Sequence, residues 1–388
     1  MKKFMAIVSL LFWGNLFAQN EIDGELIFPL QSQHVHGSSI VELPNGDLLS
    51  CWFQGSGERT ANDVAIKGSR LKKGENKWSE VFILADTPGQ PDCNPVLFLN
   101  KENKLFLVWI VVQANRWERS ILKYRTSTDY ENSGVPDWDW QDIILLKPNE
   151  KFEKEIENKF KENSGPEMGW SEYAPQYENM IIEAAKEPKK RETGWMTRIQ
   201  PLIQEDGKIL LPLYSDGYNV SIVAISDDNG DKWRGSLPIV GKGNIQPSFI
   251  QRSDGTIVAF MRDSGDEPGR IMMAESKDDG ESWSFAKDSE IPNPGASIAG
   301  IKLQSGKWLL IYNDVEDGRY RLAASLSDDD GKTWKWKKHL ENSKGDSFHY
   351  PSVIQSKDDK IHLTYSYFLK GERKSIKHVA FEEEWIIE

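Results

Sequence analysis

The chain has 388 residues, a net charge of −12 and 28% charged residues. That length suits one large repeat domain or two ordinary ones, and the acidic balance argues against nucleic acid as a partner. It leaves room for an anionic ligand, provided arginines gather in one pocket, and the only cysteines, Cys51 and Cys93, imply no disulfide framework.

Lys2 and Lys3, the apolar run from Phe4 to Trp13 and the small Ala18 read as a signal peptide over residues 1–18. The run is too short to span a bilayer, and no later segment is long and apolar enough to do so. The mature part, 19–388, is therefore expected to be exported to the periplasm or the medium without a membrane span. Apolar-rich runs then break at tight turns and resume. The turns centre on Asn45-Gly46, Glu102-Asn103, Asp206-Gly207, Asp254-Gly255, Ser305-Gly306 and Asp358-Asp359. Asn-Gly and Asp-Gly are strong hairpin signals because both residues accept positive φ. Each hairpin is followed by a third β-like run, such as VAIKGSRL after the first. Between the second and third hairpins, residues 141–195 are rich in helix formers, with Phe152, Ile156 and Phe160 at i, i+4 and i+8. That spacing predicts a helical insertion, lying on one face as a wall or lid.

After the third run of the last three complete units comes a polar octapeptide. SDDNGDKW (226–233), SKDDGESW (276–283) and SDDDGKTW (327–334) end on Trp233, Trp283 and Trp334, 50 and then 51 residues apart. A period of about 40–50 residues with four strands per unit is the signature of a β-propeller. Six hairpins predict six blades in one all-β domain, with the insertion between blades two and three. GELIFPL at 24–30 is placed to supply the outer strand that closes the ring against the last blade.

The pattern Ser-x-Asp-x-Gly-x-x-Trp resembles the Asp-box, or BNR repeat, of the sialidase-like propellers. The resemblance covers nearly the whole mature chain, with worn copies around Ser69, Gly74 and Trp78 and around Ser127 and Asp129. Asp and Ser would bond the backbone of a tight turn, Gly would allow its positive φ, and Trp would tuck under the blade. A calcium loop is the competing reading, but it needs an acid five residues before the glycine, where two boxes carry Ile225 and Leu326. The boxes are expected to be scaffolding.

Chemistry is expected at the mouth where inner strands begin and second strands loop to third. Inner-strand starts carry His34 and His36, Asn94, Arg198, Gln246, and His349 and Tyr350; the second loops carry Glu58, Arg59, Asp63, Asp216, Arg262, Arg319 and Arg321. The family resemblance implies a substrate carboxylate held by arginines, a tyrosine–glutamate nucleophile pair and an aspartate acid/base. This sequence is similar at Arg262, at Arg321 or Arg319, at Tyr350 and, more loosely, at Asp63. It departs where QHVHGSS replaces the first arginine, and Gln246 stands at the start of blade four with no glutamate evident to activate Tyr350. Two arginines, a histidine and a tyrosine suit β-elimination at a uronic acid. Arginine forks, with Arg198 as a further candidate, neutralise the carboxylate. His36, His34, His349 or Tyr350 then abstracts or donates a proton, each step worth roughly 10²–10⁴-fold. Arg59, Gln246 and Asn94 are candidate substrate contacts. No metal or cofactor is called for, and the partner is an anionic oligosaccharide met by a monomer. An exo-glycosidase of sialidase or rhamnosidase type and a non-catalytic glycan-binding propeller are the alternatives.

Overall fold

The computed structural model describes residue 22 and residues 24–163, 177–217, 219–265 and 267–388. The expected leader over 1–18 lies outside them. Gly46, Gly207, Gly255 and Gly306 take φ between 86° and 92° at their hairpins; Asn103 and Asp359 take 58° and 67° at the other two. These left-handed residues let each inner strand fold back on the second, and a third and fourth strand extend the sheet outward.

The result is six four-stranded antiparallel sheets. Blade one comprises His34–Glu42, Leu48–Gly55, Ala65–Leu71 and Phe82–Ala85; blade two comprises Asp92–Leu99, Leu105–Val112, Ser120–Ser127 and Trp140–Ile143. Blade three runs from Leu202–Ile203 through Ile209–Ser215 and Val220–Ser226 to a two-residue outer strand, Arg234–Gly235. Blades four and five occupy 244–292 and 299–342. Blade six joins Ser347–Gln355, Ile361–Leu369 and Arg373–Phe381 to the strand Gly24–Leu26, which pairs Glu25 opposite His378 and closes the ring. The chain is thus a six-bladed propeller. Its core lies between neighbouring blades, where Trp52, Trp109 and Trp308 are fully buried, so these indoles serve packing rather than a ligand. Cys51 and Cys93 are buried free thiols. No described helix is long and apolar enough to cross a membrane.

The first strand-like residues of the expected insertion, up to Ile143, belong to blade two. Beyond them come helix α1 (Glu150–Glu162), α2 (Tyr177–Lys186) and the single turn α3 (Pro188–Arg191). α1 buries Phe152, Ile156 and Phe160, and α2 buries Tyr177 and Ile181. Phe160 meets Phe285 of blade four edge to face, Glu178 pairs with Lys242, and Leu146 lies beside Gly235. The insertion therefore stands along the outer rim of blades three and four. It covers the edge that blade three's short outer strand leaves open.

Each complete Asp-box repeats one geometry between third and fourth strands. Ser276 Oγ donates to Asp278 Oδ1 (2.9 Å) and accepts from Gly280 N (2.9 Å), while Asp278 Oδ1 accepts from Ser282 N (3.0 Å). Trp283 is buried and stacks on Phe249 with centroids 5.1 Å apart. Each box also touches the hairpin of the preceding blade: Asn100 donates to Asn229 O, Gln204 to Asp279 Oδ1 and Arg252 Nε to Asp330 O. The boxes staple blade to blade at the end far from the mouth. Asp278→Ala or Trp283→Ala should lower stability by roughly 1–4 kcal/mol, read from denaturant melts. Folded mutant should keep wild-type specific activity; a hundredfold loss of kcat at unchanged melting would contradict a structural role.

Candidate active site

Four inner strands start with the same local break. Pairing slips between His36 and Ser39, Cys93 and Val96, Ile245 and Ser248, and His349 and Ser352. In each slip one residue turns left-handed: Gly37 (61°), Asn94 (51°), Gln246 (56°) and Tyr350 (55°). For a non-glycine residue that conformation costs roughly 1–2 kcal/mol. Pro95, Pro247 and Pro351 follow three of them, and a proline leaves no N–H orphaned by the bulge. At Gly37 a Cβ would come to 3.0 Å from the Phe53 ring, so any larger residue there would press on it. The bulges bring side chains of blades one, two, four and six together around the axis.

Tyr350 is the centre of this mouth. Arg262 Nη1 donates to its hydroxyl at 3.0 Å, and the Arg319 guanidinium lies over the same ring, 5.3 Å from its centre. Arg319 Nη2 is fixed on Gly295 O at 2.7 Å. Beneath the ring, Arg198 lies 4.9 Å from its centre and donates to Tyr350 O (2.7 Å) and Ser38 O (3.2 Å). His36 meets the ring edge at 4.1 Å, and His349 lies 4.8 Å from His36. On the far side of the axis, Asn94 Nδ2 and Gln246 Nε2 both donate to the Tyr214 hydroxyl at 3.2 Å.

Charge in the mouth is unevenly matched. Burial raises the Glu58 carboxyl above the ordinary glutamate range, with Arg59 opposing, Asp216 adding and Arg319 and Arg262 opposing. Asp216 is open to solvent at the lip, yet the protein mass around it also raises its carboxyl against Arg262 and Arg59. Arg59 lies 5.3 Å from the Trp117 ring, on a wall tied by Asn115 Nδ2 donating to Arg59 O. Burial holds the His36 and His349 imidazoles well below their ordinary range, and neighbouring cations push the same way. Burial and Lys374 lower half-buried His34 to about 4. All three rings are neutral near neutral pH.

Of the residues expected from sequence, the fold gathers Tyr350, Arg262, Arg319, Arg198, His36, His349, Asn94, Gln246 and Arg59, with His34 at the margin. It does not gather Asp63 or Arg321. Asp63 is exposed and closes its own loop, accepting from Ser56 N and Oγ at 3.0 and 2.7 Å. Arg321 turns to the outer strand, where Nε donates to Asn342 Oδ1 at 3.3 Å. Arg198 is engaged by backbone carbonyls rather than open to a ligand. The sequence puts Glu58 and Asp216 in mouth loops without marking a role for either, and Tyr214 stands inside a strand with no signal of its own. For Glu58 the available signal was its place beside Arg59. A cavity of about 690 Å³ is lined by Gln200, Gln251, Arg252 and Lys302 and reaches Arg198 and Pro351, beneath and beside Tyr350; it holds neither Glu58 nor Asp216.

The BNR repeat-like domain family matches residues 46–151 and 187–363. No curated protein matches the chain in sequence. Among solved structures, a protein of unknown function from Dyadobacter fermentans aligns at TM-score 0.68 and 15% identity, covering 93% of this chain and 98% of that one. A leech intramolecular trans-sialidase aligns at 0.68 and 14%, covering 94% and 71%. The intramolecular trans-sialidase of Ruminococcus gnavus aligns at 0.65 and 13%, covering 94% and 98%. At these identities the likeness is one of fold.

The raised Glu58 carboxyl has a consequence for stability. Its neutral form is favoured in the folded state, so it stabilises the fold below the unfolded pKa, and that contribution is lost as pH rises through the folded pKa. Glu58→Gln should therefore gain stability over wild type as pH rises from the ordinary glutamate range to neutrality, and show no gain in acid. Melting temperatures across that range test this; a Glu58→Gln variant less stable at neutral pH than in acid, relative to wild type, would contradict the assignment.

Proposed function

The chain belongs to the BNR repeat-like domain family, and from that propeller and its mouth we propose an exported carbohydrate-active enzyme that performs β-elimination at a uronic acid of an acidic oligosaccharide. One observation carries the reading. In a chain of net charge −12, Arg262 and Arg319 meet Tyr350 and Arg59 stands on the wall by Trp117, none of the three with a carboxylate in salt-bridge contact among the described residues. Guanidinium groups without a carboxylate partner suit an anion.

The chemistry follows from what these groups do to a uronate. Arg262 and Arg319 take the carboxylate, which lowers the barrier to removing the proton at C5, since the charge then moves onto neutralised oxygens. Tyr350 is the base: it acts as the phenolate, its own proton first passing to solvent, and its oxygen, which lies beside Arg262 Nη1, takes the C5 proton. The electron pair of the C5–H bond forms the C4–C5 double bond, and the C4–O bond breaks. Glu58, whose carboxyl burial raises above the ordinary glutamate range, is the acid that protonates the departing oxygen. The leaving group is an alcohol when C4 carries a sugar and water when it does not. His36 and His349, expected as proton carriers, instead support the underside of Tyr350 as neutral rings. A hydrolytic reading with Tyr350 as nucleophile draws on the sialidase-type neighbours.

A uronate-terminated oligosaccharide should yield a product with the ultraviolet absorbance of an unsaturated uronate and no added water by mass. Arg262→Lys and Arg319→Lys keep the charge but lose the fork, and each should lower kcat/KM by about 10²-fold or more. Product masses increased by one water, or release of sialic acid from a sialoside, would replace elimination with hydrolysis; wild-type rates for both lysine variants would remove the clamp.

A further inference from the structure

The geometry points to Tyr214 as a direct hydrogen-bond donor to the carboxylate of the bound sugar, acting beside Arg262; this rests on the mouth being the anion site proposed above. A tyrosine hydroxyl has two acceptor positions and one hydrogen. Asn94 Nδ2 from blade two and Gln246 Nε2 from blade four fill the acceptor positions, both at 3.2 Å. The hydroxyl can serve only one acceptor, so two converging amides cannot both be fed by it. As placed, both feed it. Its own hydrogen has no protein acceptor among the described residues.

The ring is held firmly enough for the placing of that hydroxyl to matter. Tyr214 is 3% exposed at the end of blade three's second strand, and its backbone N–H and C=O both pair with Met196. Burial, with Asp216 and Tyr350 adding, raises the phenol well above its ordinary range, so the hydrogen stays on. Gln246 Oε1 is buried with no partner of its own. A committed donor and an unserved acceptor thus stand side by side, the pair that a hydroxylated sugar acid would satisfy with a carboxylate oxygen and a neighbouring hydroxyl. During elimination negative charge builds on that carboxylate, and a fixed neutral donor in a dry wall strengthens with it. A third arginine, which the resemblance leads one to expect in blade one, is absent from this sequence; Tyr214 supplies a third donor from blade three.

Calorimetric binding of glucuronate, and separately of N-acetylneuraminate, to wild type, Tyr214→Phe and Arg262→Lys separates the possibilities. Tyr214→Phe should weaken binding of the preferred acid about tenfold at unchanged melting temperature. Should that variant fail to fold, Asn94→Ala, which removes one of the two amides that aim the hydrogen, should weaken binding about threefold. Wild-type affinity in Tyr214→Phe, or in Asn94→Ala where it replaces that test, together with a loss in Arg262→Lys, would overturn the Tyr214 donor and leave the anion site standing. Unchanged affinity in both Tyr214→Phe and Arg262→Lys would overturn the anion site itself.

Discussion

A buried cation with no carboxylate partner among the described residues ties the propeller together at its axis. Arg198 enters from the approach to blade three and is 3% exposed. Its two terminal nitrogens reach carbonyls in blade one (Ser38) and blade six (Tyr350), and its planar face lies under the Tyr350 ring. Burial lowers its pKa only to about 10, because Tyr350, Tyr214 and Cys51 oppose the shift, so it remains charged. Desolvating a guanidinium is costly unless its donors are met; here two carbonyls and an aromatic face meet the terminal nitrogens, while Nε has no partner among the described residues. Two residues on, Gln200 Nε2 does the same for Ile40 O and Leu97 O. This short approach segment therefore fixes three other blades from the inside. It also holds the left-handed Tyr350 carbonyl in place, and with it the direction of the phenol.

The two ends of the ring have separate tasks. At the far end, Asp-boxes and hairpin turns form repeated, self-contained hydrogen-bond units whose residues recur from blade to blade. At the mouth nothing recurs except the backbone bulge, which carries glycine, asparagine, glutamine and tyrosine in turn. A common backbone break with a different side chain at each copy is how one fold hosts unrelated chemistries, so fold likeness at 13–15% identity leaves the reaction to be argued from the site.

Much of the ring was legible in the residues. Turn chemistry at Asn45-Gly46 or Asp254-Gly255 is local, and the Asp-box is a local hydrogen-bond unit, so both show in a single stretch of sequence. The closing strand, Gly24–Leu26 within the expected 24–30, was legible because it had no hairpin partner of its own. The mouth was legible by loop but not by residue. Asp63 and Glu58 share one loop, yet Ser56 captures the first and leaves the second facing the arginines. Arg319 and Arg321 are two residues apart, and only the register of blade five's third strand sends one to Tyr350 and the other to Asn342. Side-chain direction in a loop depends on neighbours distant in sequence. The same holds for Tyr214, whose hydroxyl is defined by amides 120 and 32 residues away. The histidines sat in the right place, but their burial under Tyr350 was set by a bulge that only Gly37 announces.

Everything proposed for the mouth turns on Tyr350, poised between Arg262 and Arg319, removing a proton from the carbon beside a bound carboxylate. A uronate-terminated oligosaccharide carrying deuterium at C5 tests this most directly, by comparing its turnover with that of the protiated substrate under saturating conditions. Elimination with proton abstraction in the slow step predicts a severalfold slower turnover of the deuterated sugar and loss of the label from the product. Equal rates with deuterium retained at C5 in the product would contradict it.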